Sequence, residues 1–175
     1  MKIVKQDFFD RPPVEVCRDL LGKYLVKVEK GGPIPKKIVE VEAYDGIADK
    51  ACHVNKGLTE RTKAMFGPPG YWYIYLIYGM YDMLNVVTGP GKNPSAVLIR
   101  GVEGMEGPGI LTRDMGIKRE DFKNKKIVPE TGLWIEDRGF KVEKSDISTA
   151  KRVGIDYAQE WAHKKWRFKI KKDDE

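Results

Sequence analysis

Tyr71-Trp72-Tyr73-Ile74-Tyr75-Leu76-Ile77-Tyr78-Gly79-Met80-Tyr81 is the stretch from which the fold is most directly read. Side chains of a strand alternate between its two faces. Tyr71, Tyr73 and Tyr75 therefore share one face, and Trp72, Ile74 and Leu76 the other. Tyr78-Gly79 reads as a strand end turning back, which places Tyr78 to project outward and Asn85 on a returning strand over about 83–88. Five of the chain's eight tyrosines fall in this stretch. Tyrosine is a good strand former, so an ordinary aromatic sheet face accounts for them. In a basic chain they would also serve as a stacking surface for bases.

Upstream, Tyr24 to Glu29 alternates like a strand, Gly31-Gly32-Pro33 makes a turn, and a second strand runs from about Lys37 to Tyr44, giving a hairpin. Before it, Asp10 is in place to cap a helix starting at Arg11-Pro12-Pro13, with Val16, Leu20 and Leu21 as its apolar stripe and Gly22 as its stop. The polar segment from Asp45 to Gly70, holding His53, Arg61, Met65 and Phe66, is a long loop of the kind that carries function. Downstream come a strand over 95–102, a short helix near 108–115, a strand over Trp134 to Glu136, a helical segment over Ile147 to Arg152 and a last strand over Trp166 to Lys171. The tail 171–175 is expected to fray. Together these elements predict a mixed α+β fold: one domain over residues 1–175, with a curved, mainly antiparallel, open-barrel-like sheet surrounded by helices.

Composition narrows the class. The 175 residues are 41% hydrophobic and 33% charged, which excludes a disordered chain and fits one core. A net charge of +6 favours polyanionic partners such as nucleic acid. Cys17 and Cys52 are far apart and form no CxxC pair, so they predict free buried thiols in a reducing compartment. The opening MKIVKQDFFD has no apolar h-region, and no run approaches a membrane span, so a soluble intracellular protein is expected.

Candidate chemistry sits on Ile38-Val39-Glu40-Val41-Glu42-Ala43-Tyr44, where alternation puts Glu40, Glu42 and Tyr44 on one face and Val39, Val41 and Ala43 on the other. The acids either lie in water on a half-buried strand or form a carboxylate beside an aromatic wall, able to activate water and stabilise a cationic sugar. Arg100, ending the apolar run Ala96-Val97-Leu98-Ile99, is surface charge or an anion clamp. His53 is a structural histidine or a catalytic one. No GxGxxG, P-loop or HExxH motif occurs and no histidine pair has metal-ligand spacing, so neither a cofactor nor a metal is expected.

IVEVEAYDG at 38–46, CHVNKG at 52–57, MFGPPGYWYIYLIYGMYDMLNVV at 65–87, AVLIRGVEGMEG at 96–107 and RVGIDYAQEWAHKKWRFKI at 152–170 together resemble the alkyladenine (3-methyladenine) DNA glycosylase family. The similarity runs in order from about residue 5 to 171. It implies a single mixed α/β domain built on a curved antiparallel sheet, acting as a monomer on double-stranded DNA that contains damaged bases, cytoplasmic or nucleoid-associated in a prokaryote. It implies a monofunctional reaction in base excision repair, without a Schiff-base lysine, that leaves an abasic site. By position, Glu42 is the catalytic base and Arg100 helps place the water. Tyr44 and Tyr75 sandwich the flipped purine. His53 approaches the base edge and helps hold Tyr44 and Glu42. Asn85 excludes guanine by clashing with its amino group, and Tyr78 intercalates into the gap left in the duplex.

Electron-rich tyrosine faces suit a cationic alkylated purine, and extrusion of that base requires the wedge. Three places depart from the family pattern. Asp82 puts a negative charge in the wedge segment, Trp72 is bulkier than usual and is expected in the core, and the loop over 117–131 has no role beyond phosphate contact. Two rival functions use the same residues: a non-catalytic module that stacks single strands, and a small-molecule enzyme such as a nucleoside hydrolase.

Overall fold

Alternation of large apolar and polar side chains builds most of this molecule, because a strand obeying it can bury one face and present the other. A computed structural model of the chain describes residues 1–89 and 93–171; residues 172–175, which make up most of the tail expected to fray, lie outside that range. In chain order the elements are β1 (Lys2–Ile3), α1 (Gln6–Phe9), α2 (Pro13–Leu20), β2 (Tyr24–Glu29), β3 (Gly32–Tyr44), β4 (Trp72–Ile77), β5 (Tyr81–Thr88), β6 (Ser95–Val102), β7 (Met105–Glu106), α3 (Pro108–Asp114), α4 (Arg119–Phe122), β8 (Leu133–Asp137), β9 (Ile147–Ala150) and β10 (Arg167–Ile170). The strands form one antiparallel sheet in the order β1-β8-β2-β3-β6-β5-β4, with β10 added to β3, β9 to β10 and β7 to β6. Among the described residues the end strands β1 and β4 do not pair, so the sheet is open rather than a closed barrel.

The thirteen-residue strand β3 is the hub. Its first half, Gly32 to Lys37, pairs with β2. Its second half pairs with β6 over Ile38 to Tyr44 and, on the edge that β2 has left, with β10 at Glu40 to Glu42. The β3–β6 register slips twice, so that Val39 on β3 and Arg100 on β6 are each left without a partner and the slips cancel. Such bulges re-aim side chains. Here they put Ile38 into the core beside Val41 and Ala43, while Val39 is only half-buried. Simple alternation had placed Val39 there instead.

One sheet face packs the main core. Val41 and Ala43 of β3, Trp72 and Ile74 of β4, Leu84 and Val86 of β5, and Val97 and Ile99 of β6 are all buried in it. Val16, Cys17 and Leu20 of α2 cover that face, and both cysteines are free. Trp72 is fully buried and donates its indole N–H to Leu133 O at 3.1 Å, as its bulk had suggested.

Several sequence expectations are corrected. Asp10 does not cap α2, whose N-cap is Pro12 with Pro13 opening the helix; instead Asp10 closes the short helix α1 through its own N–H. Ile147 to Ala150 is a strand, not a helical segment. Pairing with the free edge of β10 supplies backbone bonds that a lone turn of helix could not hold. The loop over 117–131 has a structural role. Asn124 N–H bonds Trp72 O, Lys125 O accepts from Trp72 N–H and Ile127 N–H bonds Gly70 O, so the loop covers the start of edge strand β4. Asp82, half-buried, accepts the Arg119 N–H at 2.9 Å, and its carbonyl accepts from the Thr112 hydroxyl. Its carboxylate thus ties β5 to the start of α4, and its carbonyl ties β5 to α3.

Candidate active site

The second sheet face carries the polar alternates. Register pairs place Arg167, Glu42, Leu98, Asn85 and Tyr73 in one row across β10, β3, β6, β5 and β4. Above this face the 45–70 loop packs Cys52, Val54 and Met65 against Tyr73, Val87 and Ala96. The space between is a small cavity of about 20 Å³ lined by Tyr44, His53, Met65, Tyr73, Tyr75 and Asn85, with Ala51, Cys52 and Ala96 completing the wall.

Glu42 is fully buried beside this cavity. Its Oε2 accepts the Tyr44 hydroxyl at 2.8 Å and its Oε1 accepts the Val153 N–H at 2.8 Å. Arg100 Nη1 lies 3.5 Å from Oε1. An ionised carboxylate offers about four acceptor sites, so one direction stays open. Burial raises the Glu42 pKa, while Arg100, the Val153 N–H, Tyr44 and Arg152 pull it down. Desolvation outweighs the donors, so the carboxyl is more basic than an ordinary solvated one. Glu40, nearly buried, does not lie in water either. Its Oε1 accepts from Arg100 Nε at 3.2 Å and from Arg167 Nη1 at 3.1 Å.

Arg152 and Asp49 form the frame around Tyr44, and both were missed in the sequence. The Arg152 guanidinium forks onto the Asp49 carboxylate, with Nη2 to Oδ1 at 3.0 Å, and donates to Ala43 O at 2.9 Å. Both side chains are fully buried. The Arg152 Cζ also sits 4.9 Å over the Tyr44 ring and 5.2 Å over Trp166. Asp49 in turn accepts the N–H groups of Asp45 and Ala51, which folds the loop back on the strand. Arg152 opens the similar segment 152–170, but Asp49 falls between the similar segments 38–46 and 52–57, and 103 residues separate the pair.

The histidine differs from expectation. His53 Nδ1 is 2.9 Å from the Tyr73 hydroxyl, and its ring meets Tyr75 edge-on at 4.6 Å. Among the described residues its partner is therefore Tyr73, while Tyr44 and Glu42 are held by Arg152 and Val153. Burial, then Arg61 and Lys56, push the His53 pKa down to about 4, so the ring is neutral at pH 7. Arg61 stands 4.8 Å over the Tyr75 ring. Burial also lifts the Tyr73 hydroxyl to about 12 and Tyr75 further. Asn85, 2% exposed, donates to Met83 O at 3.1 Å, which fixes its amide against the cavity floor.

Tyr78 lies outside the cavity, at the tip of the β4–β5 hairpin. It is 83% exposed and has φ +52, followed by Gly79 at +66. Two consecutive positive φ values make the tight turn that a right-twisted hairpin prefers, but a tyrosine there is strained by about 1–2 kcal/mol. Leu76 and Met80 are exposed beside it. Among the described residues no group of three or more His, Cys, Asp or Glu stands ready to hold a metal, and no helix is long and apolar enough to cross a membrane.

A buried carboxylate, a neutral histidine and a small aromatic cavity thus lie on one sheet face, with an exposed tyrosine at the hairpin tip. The methylpurine-DNA glycosylase (MPG) family model matches residues 7–107 and 103–174. Three similar proteins are each named "Putative 3-methyladenine DNA glycosylase". That of Methanocella arvoryzae is 44% identical, covering 96% of this chain and 92% of its own length. That of Alkaliphilus oremlandii is 43% identical, covering 96% and 95%. That of Legionella pneumophila strain Corby is 42% identical, covering 98% and 96%. This chain belongs to the methylpurine-DNA glycosylase family. Its activity is accordingly that of a DNA-3-methyladenine glycosylase, a hydrolase of N-glycosyl bonds that acts on DNA in the repair of alkylated bases.

Proposed function

We propose that this chain, as one glycosylase domain and as a monomer inside the cell, flips damaged purines out of double-stranded DNA and hydrolyses their bond to the sugar. The substrates are alkylated adenine and guanine, with hypoxanthine and ethenoadenine as further, neutral and planar, damaged purines. Glu42 takes the proton of a water as its oxygen bonds to the anomeric carbon. The C–N bond breaks and its electron pair leaves with the base, which neutralises an alkylated purine; a neutral lesion must also take a proton from solvent as it leaves, and an abasic site remains. The negative charge of Glu42 also stabilises the oxocarbenium-like transition state. Arg100 orients the water.

Tyr44 and Tyr75 line the cavity and would flank the base, favouring a cationic ring through their π faces. His53, neutral at pH 7, adds no charge that would repel that ring. Asn85, on the cavity wall, would exclude normal guanine by clashing with its amino group, a rejection by shape. Tyr78, strained and exposed, fits the gap left by an extruded nucleotide. The observation that carries this reading is the fully buried Glu42, gripped by Tyr44, Val153 and Arg100 at the edge of an aromatic cavity.

The test incubates wild type and Glu42→Gln with methylated DNA and with duplexes carrying hypoxanthine or ethenoadenine, and measures released base by chromatography. Release by wild type, lost in the variant with lesion binding retained, is the expected result. Equal release by both would remove Glu42 from the chemistry. Binding of single strands without release by either would favour the stacking module.

A further inference from the structure

The two acids of β3 are not equivalent, and the arginine between them is shared unequally. Arg100 Nε is 3.2 Å from Glu40 Oε1, within hydrogen-bond reach, whereas its Nη1 is 3.5 Å from Glu42 Oε1. Glu40 is itself anchored from the far side by Arg167 Nη1 at 3.1 Å. The bulge that leaves Arg100 without a backbone partner is what aims its guanidinium across both acids. The four side chains form an alternating row, Arg167–Glu40–Arg100–Glu42, running from β10 across β3 and β6.

We propose that Glu40 is a positioning residue that holds Arg100 back from Glu42, keeping the Glu42 carboxylate free to accept a proton. An arginine fork released from Glu40 would close on Glu42 with two short hydrogen bonds, since this pairing is the strong one. A carboxylate so occupied is a weaker base and has no open direction for water. The proposal rests on the reading of Glu42 as the base.

The other groups around Glu42 already have partners. Tyr44 donates to it, Arg152 is committed to Asp49, and Cys17 of α2, buried in the main core, stays a neutral thiol because burial raises its pKa well above the ordinary value. Lys169, which pairs in register with Glu40, lies 3.8 Å from Glu106. Arg167 is also anchored elsewhere, its Nε donating to Lys151 O at 2.9 Å, so Arg100, which lies against both acids, is the cation whose position Glu40 sets.

The experiment follows the Glu42 carboxyl by carbon NMR of glutamate-labelled protein, the resonance being assigned by its loss in Glu42→Gln. In Glu40→Gln the Glu42 titration is expected to move down by about one pH unit, the low end of the effect of a close opposite charge. The acid limb of base release should move down with it, and the plateau rate should fall about tenfold with KM unchanged. In an Arg100→Gln background the same change should produce neither effect. Arg167→Gln, which leaves Glu40 wholly to Arg100, should move the Glu42 titration upward, and it carries the test if Glu40→Gln fails to fold.

A Glu42 titration unmoved in Glu40→Gln, or moved equally with and without Arg100, overturns the proposal. Wild type that releases no methylpurine, while the NMR shifts appear as stated, would instead sink the function assigned to Glu42 and leave the positioning intact.

Discussion

The two faces of the β3–β6–β5–β4 sheet are made from the same strands and differ in almost everything else. On one, Trp72, Ile74, Leu84, Val86, Val97 and Ile99 pack into the main core with α2. On the other, Glu42, Tyr73, Tyr75 and Asn85 line or adjoin a cavity beneath the 45–70 loop. Neighbours in sequence therefore serve different ends: Ile74 holds the fold, while Tyr73 and Tyr75 shape the site. The lesson is that period-2 alternation can separate stability from chemistry residue by residue. The pocket face is nevertheless buried, and its polar atoms are kept there by donors and by the Asp49–Arg152 ion pair rather than by water.

The sharpest test of this division is Glu42→Gln. Base release should fall by about 10²–10⁴-fold, the usual contribution of a general base, with no loss of melting temperature at pH 7. The sign follows from the raised pKa of the folded carboxyl. Such a group weakens the fold as pH rises from the ordinary carboxylate range through its folded pKa, and the amide removes that dependence. Each nearby arginine also keeps a second carboxylate, Glu40 for Arg100 and Asp49 for Arg152. Thermal melts between pH 4 and 8 would break the comparison if the variant were much less stable at pH 7.

The mirror experiment is Leu84→Ala on the core face. It should cost about 2–5 kcal/mol by denaturant unfolding, with base release per folded molecule unchanged below the transition. A lowered turnover in fully folded variant would mean that the two faces are coupled. Next in size is Tyr75→Ala. Losing one stacking partner should weaken lesion binding by about 1–3 kcal/mol, with a smaller change in stability than Leu84→Ala. The smallest effect is expected for Tyr78→Gly. Relief of the positive φ should raise stability by up to about 1 kcal/mol, while release from duplex falls and release from single strands holds. Equal loss on both substrates would sink the wedge role.

Much of this division is legible in the sequence because it is local. The alternations at 38–44 and 71–77, the turn at Tyr78-Gly79 and the apolar run before Arg100 place the acid strand, the tyrosine face and the projecting tyrosine without any long-range knowledge. Family resemblance adds Asn85 and His53 as site residues. What stays hidden depends on pairing across the chain. The compensating slips at Val39 and Arg100 exist only once β3 meets β6. The true partner of His53, Tyr73, is set by how the loop packs. Asp49 and Arg152 look like ordinary surface charges until burial makes them a pair. Ile147 to Ala150 reads as helical until β10 offers an open edge.

The hub strand has one more consequence, for the timing of synthesis. Glu40 and Glu42 are made early, but their clamps arrive from Val153 and Arg167, 111 and 127 residues later. At the usual 5–20 residues per second the acids wait about 6–25 s on the ribosome before the clamps exist. Until then β3 lacks β10 and Glu42 lacks its amide donor. A nascent chain, or one truncated before β10, thus has neither the finished sheet nor the full clamp on its two buried acids.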